Sequence, residues 1–190
     1  ISFPYVRGDV YTNMSAFEGV FESTGGQLRL ASAIDLSKGT LKLGAGVYAA
    51  HVKGGSGDEQ VLTSKIGSLV STATDCTLAS GNWNVGYLGN NDTYAGMFNS
   101  AATINKYGEG DLSLIGSSQG KVNIHEGRVL VNNTSAETTT GAITINNGGT
   151  LAGAGKTATV TVKKGGVISA GKSDYVTGAM TITGNLSVNM

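Results

Sequence analysis

The feature that most constrains this chain is a short alternating phrase that returns at intervals of about 20 residues, a period typical of stacked repeats. Val122-Asn123-Ile124-His125-Glu126-Gly127 aligns with Ile143-Thr144-Ile145-Asn146-Asn147-Gly148, then Val160-Thr161-Val162-Lys163-Lys164-Gly165, then Met180-Thr181-Ile182-Thr183-Gly184. Apolar residues two apart share one face of a strand, and the glycine that follows marks a turn. A second apolar position, Leu130, Leu151, Ile168 and Val188, follows the first at constant spacing. A unit of this length cannot enclose a core by itself, so neighbouring units must stack and bury their inward side chains as ladders. The expected fold is therefore all-β, a parallel β-helix or β-solenoid with rungs of about 20 residues. Four such rungs would rise roughly 19 Å at the usual strand spacing.

A coarser echo spans the two halves. Asn13-Met14-Ser15-Ala16-Phe17-Glu18-Gly19-Val20-Phe21-Glu22-Ser23 matches Asn90-Asn91-Asp92-Thr93-Tyr94-Ala95-Gly96-Met97-Phe98-Asn99-Ser100 without a gap in the alignment. Each copy leads into a Gly-rich turn and an alternating strand, Gln27-Leu28-Arg29-Leu30 or Asp111-Leu112-Ser113-Leu114. This divides the chain into related units of about 1–90 and 91–190, expected to form one continuous stack. The linker-like stretches Lys53 to Gln60 and Asn132 to Thr140 read as loops thrown out from rungs. The opening at Ile1, with no signal peptide, reads as a processed product or an excerpt of a longer protein.

Composition narrows the partners. Thirteen Lys and Arg balance 13 Asp and Glu among 190 residues, so the basic footprint that neutralises phosphates or anionic lipid is missing. Nucleic acid is not an expected partner, nor is membrane insertion, since no apolar run approaches the ~18 residues a spanning helix needs. Thirty glycines without a three-residue period exclude collagen. A single cysteine, Cys76, permits neither an internal disulfide nor a multi-thiolate metal site.

The residues Asn91-Asp92-Thr93-Tyr94-Ala95-Gly96, followed by Ile104-Asn105-Lys106-Tyr107-Gly108-Glu109-Gly110-Asp111-Leu112-Ser113-Leu114-Ile115-Gly116, resemble the autotransporter-associated β-strand repeat, also called the passenger-associated transport repeat. That family's phrase is a Lys, one residue, then Gly-x-Gly-x-Leu-x-Leu-x-Gly. Asn147 to Gly155 and Thr159 to Ser173 are similar to the rungs that commonly follow it, and a fainter copy covers 13–44. The Ala-Pro-Gly phrase of the family lacks its Pro at Ala170-Gly171, and Ala136 to Gly141 departs from its usual wording. The resemblance implies a right-handed β-helix, secreted or displayed at the outer membrane of Gram-negative bacteria, that serves as a stalk, an adhesin shaft or a non-catalytic part of a carbohydrate-active protein.

Reactive residue types are dispersed. His51 and His125 lie in different halves of the sequence, and neither belongs to a metal-spaced or nucleophile-elbow phrase. Gly54-Gly55-Ser56-Gly57-Asp58-Glu59-Gln60-Val61 is an imperfect single copy of a calcium nonapeptide and reads as a polar loop. The close acids Asp58-Glu59 and Glu109 with Asp111 read as solvated turns, and Cys76 as a small buried hydrophobe. No catalytic residue, metal or cofactor is expected, and so no enzyme activity. Trp83, Val85 and Tyr87 alternate on one expected strand face, with core packing favoured by the central Val85. Trp83 and Tyr87 are nonetheless the candidate glycan-binding aromatics, because neither has a matched repeat partner. The expected function is a non-catalytic structural or adhesive module of a secreted or cell-surface bacterial protein, with host glycans, polysaccharides or surface proteins as partners. The alternative is an accessory domain of a secreted polysaccharide lyase or other carbohydrate-active enzyme.

Overall fold

The computed structural model describes residues 2–3, 8–11, 13–54, 58–133, 140–171 and 178–189. The described residues contain strands and turns with no helix, so no helix is long and apolar enough to cross a membrane. The strands run parallel and stack in about seven turns, a β-solenoid with rungs of ~20 residues. The main sheet passes in order through Ser2–Phe3, Val20–Ser23, Asp35–Leu43, Thr63–Val70, Thr77–Val85, Met97–Lys106, Lys121–Ile124, Ile143–Ile145, Val160–Val162 and Leu186–Val188. It crosses residue 90 without interruption, because Thr77–Val85 pairs directly with Met97–Lys106.

Three further strands, Gly8–Val10, Gln27–Leu30 and Tyr48–His51, pair in that order as a side branch that joins this sheet at Thr77–Val85. In the C-terminal half the second wall is a separate sheet of Asp92–Tyr94, Asp111–Leu114, Gly127–Val131, Gly149–Gly153 and Val167–Ala170. A third pair, Lys156–Thr157 with Thr181–Ile182, closes one side.

The core is a set of ladders that follow the register. One runs Leu36, Ile66, Val85, Lys106, Ile124, Ile145, Val162 and Val188. Its neighbour runs Ser64, Trp83, Ile104, Val122, Ile143, Val160 and Leu186. Opposite them lie Leu112, Val129, Leu151 and Ile168. Burial is complete in the middle of the stack and lapses at the last rung, where Val188 is 58% exposed.

Three expected ladder positions are corrected. Met180 is not the partner of Val160; Leu186 takes that place, while Thr181–Ile182 pairs with Lys156–Thr157. Thr181-Ile182-Thr183 and Asn185-Leu186-Ser187-Val188 alternate equally well, and the chain uses the first as a side strand. Val188 accordingly lies on Val162 in the main sheet and not on Ile168. Leu130 is likewise displaced, because Val129 pairs with Leu151 and Leu130 with Ala152. The turn before Gly127 is one residue shorter than the turn before Gly149, which shifts the following strand by one and exchanges its faces.

The loop expected at Lys53 to Gln60 includes residues 55–57, outside the described set, and that at Asn132 to Thr140 includes 134–139, also outside it. The described flanks of the first come together, with an antiparallel bridge between Val52 and Glu59. Lys172 and Ser173 of the family-like tail also lie outside the described residues.

Candidate functional site

The side chains with nucleophile or acid-base character that sit inside the stack are engaged by backbone groups and by one another. His51 is fully buried at the end of the branch strand Tyr48–His51. Its Nδ1 lies 3.0 Å from the Ser80 carbonyl and its Nε2 2.8 Å from Ser64 Oγ. The carbonyl requires Nδ1 to carry the proton, so Ser64 donates to Nε2 while accepting from the Ile34 amide at 3.1 Å. This is a Ser-His pair without access, since Ser64 is also fully buried. Desolvation holds the His51 pKa below the usual histidine value, which keeps the ring neutral.

Lys106 occupies an inward ladder position between Val85 and Ile124 and is 1% exposed. Its Nζ donates to the carbonyls of Tyr107 and Gly108, each at 2.7 Å. Burial lowers its pKa to about 8, against the opposing pull of Asp111, Asp92 and Glu126. Asp92 starts the second sheet and accepts from Ser68 Oγ at 2.8 Å and the Leu69 amide at 3.1 Å. Burial raises its pKa, with those two bonds and Lys106 opposing. Cys76 is buried beside Ser71 Oγ at 3.1 Å and the Ala73 carbonyl at 3.3 Å. Among the described residues no group of three or more His, Cys, Asp or Glu could hold a metal ion.

Trp83, one of the two candidate glycan-binding aromatics, sits in the core, the placement that the central Val85 favoured. Its indole is 0% exposed, donates Nε1–H to the Ser80 carbonyl at 3.0 Å and lies 4.5 Å from the His51 ring. An enclosed ring has no face to offer a sugar. Tyr87 does not share its face, because Gly86 ends the alternation with a φ of 99°, and Tyr87 is 39% exposed. The expected strand face therefore contains Trp83 and Val85 only.

Outside the core, three successive rungs build a surface that the sequence reading missed. Asn105 Nδ2 donates to Asn84 Oδ1 and Asn123 Nδ2 to Asn105 Oδ1, both at 2.8 Å. These amides sit in register on the outward face of the main sheet. Beside them Tyr87 stacks on Tyr107 with centroids 5.3 Å apart and planes at 14°. Tyr107 in turn stacks on His125 at 4.6 Å and 2°. The rail and the amide row meet where Asn84 interacts with the Tyr87 hydroxyl. The His125 pKa is lowered, first by partial burial and then by Lys163.

The signal for this surface lay in the column alignment. Tyr107 and His125 each directly follow the second inward residue of their rungs, Lys106 and Ile124. A neutral amide with one ladder bond donated and one accepted keeps one N–H and one lone pair for an external hydroxyl. The other close acids serve structure: Asp111 forms a two-bond pair with Arg128 at 2.7 and 2.9 Å, and Glu59 accepts from the Tyr48 hydroxyl.

The fold thus defines the chain as a parallel β-solenoid whose apolar core seals in a few polar side chains and whose outer surface carries an ordered polar-aromatic face. No protein-family model, curated protein or solved structure matches it.

Proposed function

We propose that this chain is a non-catalytic β-solenoid module, structural or adhesive, of a secreted or cell-surface bacterial protein. The observation that supports this reading is the continuity of the main sheet, from Ser2–Phe3 to Leu186–Val188, across every rung. In such a stack the interstrand hydrogen bonds run along the long axis and the apolar ladders lie parallel to them, so the module resists bending and holds what it carries at a set distance. The amide row and ring rail give the rod a lateral contact face of near-neutral charge, suited to glycans or surface proteins and unsuited to nucleic acid.

The test is display. The chain is fused between an outer-membrane anchor and an epitope on Gram-negative cells, and intact cells are treated with protease. The expected result is an accessible epitope on a protease-resistant spacer. A chain that reaches the surface and is degraded there would overturn the reading.

A further inference from the structure

We infer that the C-terminal end of the stack is a docking surface for a second copy of this chain, the two rods joining tail to tail through antiparallel pairing of Leu186–Val188. All three walls stop at the same level. Among the described residues, Val167–Ala170, Thr181–Ile182 and Leu186–Val188 each pair with a strand of the rung below and with none above. Their inward side chains are uncovered: Leu186 is 52% exposed, Val188 58% and Ile168 37%, while Val160 and Leu151 beneath them are fully buried. A cavity of about 440 Å³ opens between Val162, Val188, Asn189 and the turn at residues 163–166. Lower in the stack each turn carries the next, with Gly127 against the Gly108 carbonyl and Gly108 against that of Gly86. A strand edge that faces solvent is normally guarded by a charge, a proline or a bulge. The described residues of this last rung, 167–171 and 178–189, include no charged residue and no proline. An unguarded apolar edge of this kind is a template for another strand.

The strand is complementary to itself. The Asn189 amide donates to the Val162 carbonyl and the Asn185 carbonyl accepts from the Val160 amide, so these alternate residues turn their backbone groups to the rung below. Leu186 and Val188 lie out of phase with them and present theirs to the free edge. Two copies related by a two-fold axis at Ser187 set Leu186 of each opposite Val188 of the other, as hydrogen-bonded pairs of an antiparallel ladder. With the axis perpendicular to the main sheet both interiors lie on the same side, so the inward residues of one copy extend the apolar ladders of the other. The joint thereby repeats the contact by which every rung holds the next. The same register puts Asn185 of the second copy opposite Asn189, at the rim of the cavity. Lys163 and Lys164 border the Asn189 end of the strand, and antiparallel pairing keeps the two lysine pairs at opposite ends of the joint, where they do not repel. A two-fold contact uses one surface twice and closes on a dimer, whereas stacking this end on Ser2–Phe3 of another copy would build open filaments.

The experiment is analytical ultracentrifugation of the whole chain over a concentration series. A monomer–dimer equilibrium is expected, with no larger species. Val188→Lys and Leu186→Lys each set a charge in the joint at a side chain that is half exposed in the single chain, and should abolish the dimer while the circular dichroism stays that of the wild type. Ser187→Cys tests the register independently, because residues opposite each other in a non-hydrogen-bonded pair come close enough for a disulfide. Mild oxidation should give a covalent dimer, and the native Cys76 is buried away from the reaction. A monomer at every concentration overturns the inference. So does a series of higher oligomers, a folded lysine variant that still dimerises, or a wild-type dimer whose Ser187→Cys form gives no disulfide. The spacer reading is tested by display and is not touched by any of these results.

Discussion

Lys106 offers the sharpest test of the ladder register, because a lysine placed inward between Val85 and Ile124 must leave a pH signature. Its pKa is about 8 in the folded chain against 10.5 for the free side chain. Between those values the unfolded chain binds a proton that the folded chain does not. Stability therefore rises with pH across this window, by about 1.4 kcal/mol per unit for one proton. From pH 8 to pH 10 the gain is roughly 2 kcal/mol, since each end of the range lies close to one of the two pKa values. At a typical slope of ~2 kcal/mol/M that gain moves a urea midpoint by about 1 M. Tyrosines set the upper limit: Tyr48 is raised to about 12 by its bond to Glu59, and burial raises Tyr94. Neutral phenols are favoured in the fold, so their contribution starts to be lost as pH reaches the unfolded value near 10, at the top of the chosen range, and the variant measures that loss alone. The assay is urea denaturation at half-unit steps from pH 7 to pH 10, on wild type and Lys106→Met. Wild type should gain stability through the window and the variant should be flat. A flat wild-type profile, or a variant that keeps the slope, would refute an interior Lys106.

Three other perturbations follow from the same ladders. Ile145→Asp sets a charge between Ile124 and Val162 in a fully buried position, and should lower stability by several kcal/mol in chemical denaturation; an unchanged midpoint would place that column outside. Trp83→Ala should lose about 3–5 kcal/mol of stability, read by chemical denaturation, because the indole is fully buried; an unchanged midpoint would place the ring at the surface. Acid should weaken the fold through His51, whose lowered pKa means that stability is lost as pH falls below the ordinary value of 6.5; the His51 ring protons should keep their neutral-form shifts below that value, and titration at 6.5 would show that the ring is solvated.

The solenoid was legible because its signals repeat. Val122, Ile143 and Val160 each open an apolar-x-apolar phrase closed by a glycine turn, and their pairing follows that alignment. What was not legible was local degeneracy. Two alternating stretches compete between Met180 and Val188, and the third strand pair, which the preceding rung reaches only by a single bridge from Thr140 to Thr157, decides between them. A turn shortened by one residue before Gly127 is silent in an apolar pattern when Val129, Leu130 and Val131 are all acceptable inward residues. The N-terminal half hid its rungs more deeply, since Leu36 pairs with Ile66 and the whole branch strand Tyr48–His51 intervenes between them in sequence. Lys106 is an outward residue by every propensity; only the two carbonyls at its tip explain its position. Trp83 and Tyr87 were separated by the positive φ of Gly86, which a period-two reading passes over.

The buried polar groups mark the places where the ladder pattern is interrupted. Thr77–Val85 receives two different strands along its length: Tyr48 and Ala49 pair with its first part, Thr63 to Ile66 with its last. The junction between them cannot complete a regular ladder, and there His51 and Ser64 engage the Ser80 carbonyl and the Ile34 amide. One rung later the second sheet begins at Asp92, whose carboxylate accepts the Leu69 amide, and Lys106 satisfies two carbonyls at the following corner. A backbone group left unpaired in such a place would cost about 1–3 kcal/mol, so a histidine, an aspartate and a lysine are retained where a hydrophobic side chain would strand it. Above this region the rungs are regular, and Ile124, Ile145 and Val162 follow one another in the ladder with no charged inward residue among them. Residue types that elsewhere suggest catalysis are thus consumed by the change from a branched sheet to a two-walled solenoid. The outer face, where Asn84, Asn105, Asn123 and Tyr87 hold fixed geometry without being needed to close the core, is the surface that the proposed module has left for lateral contact.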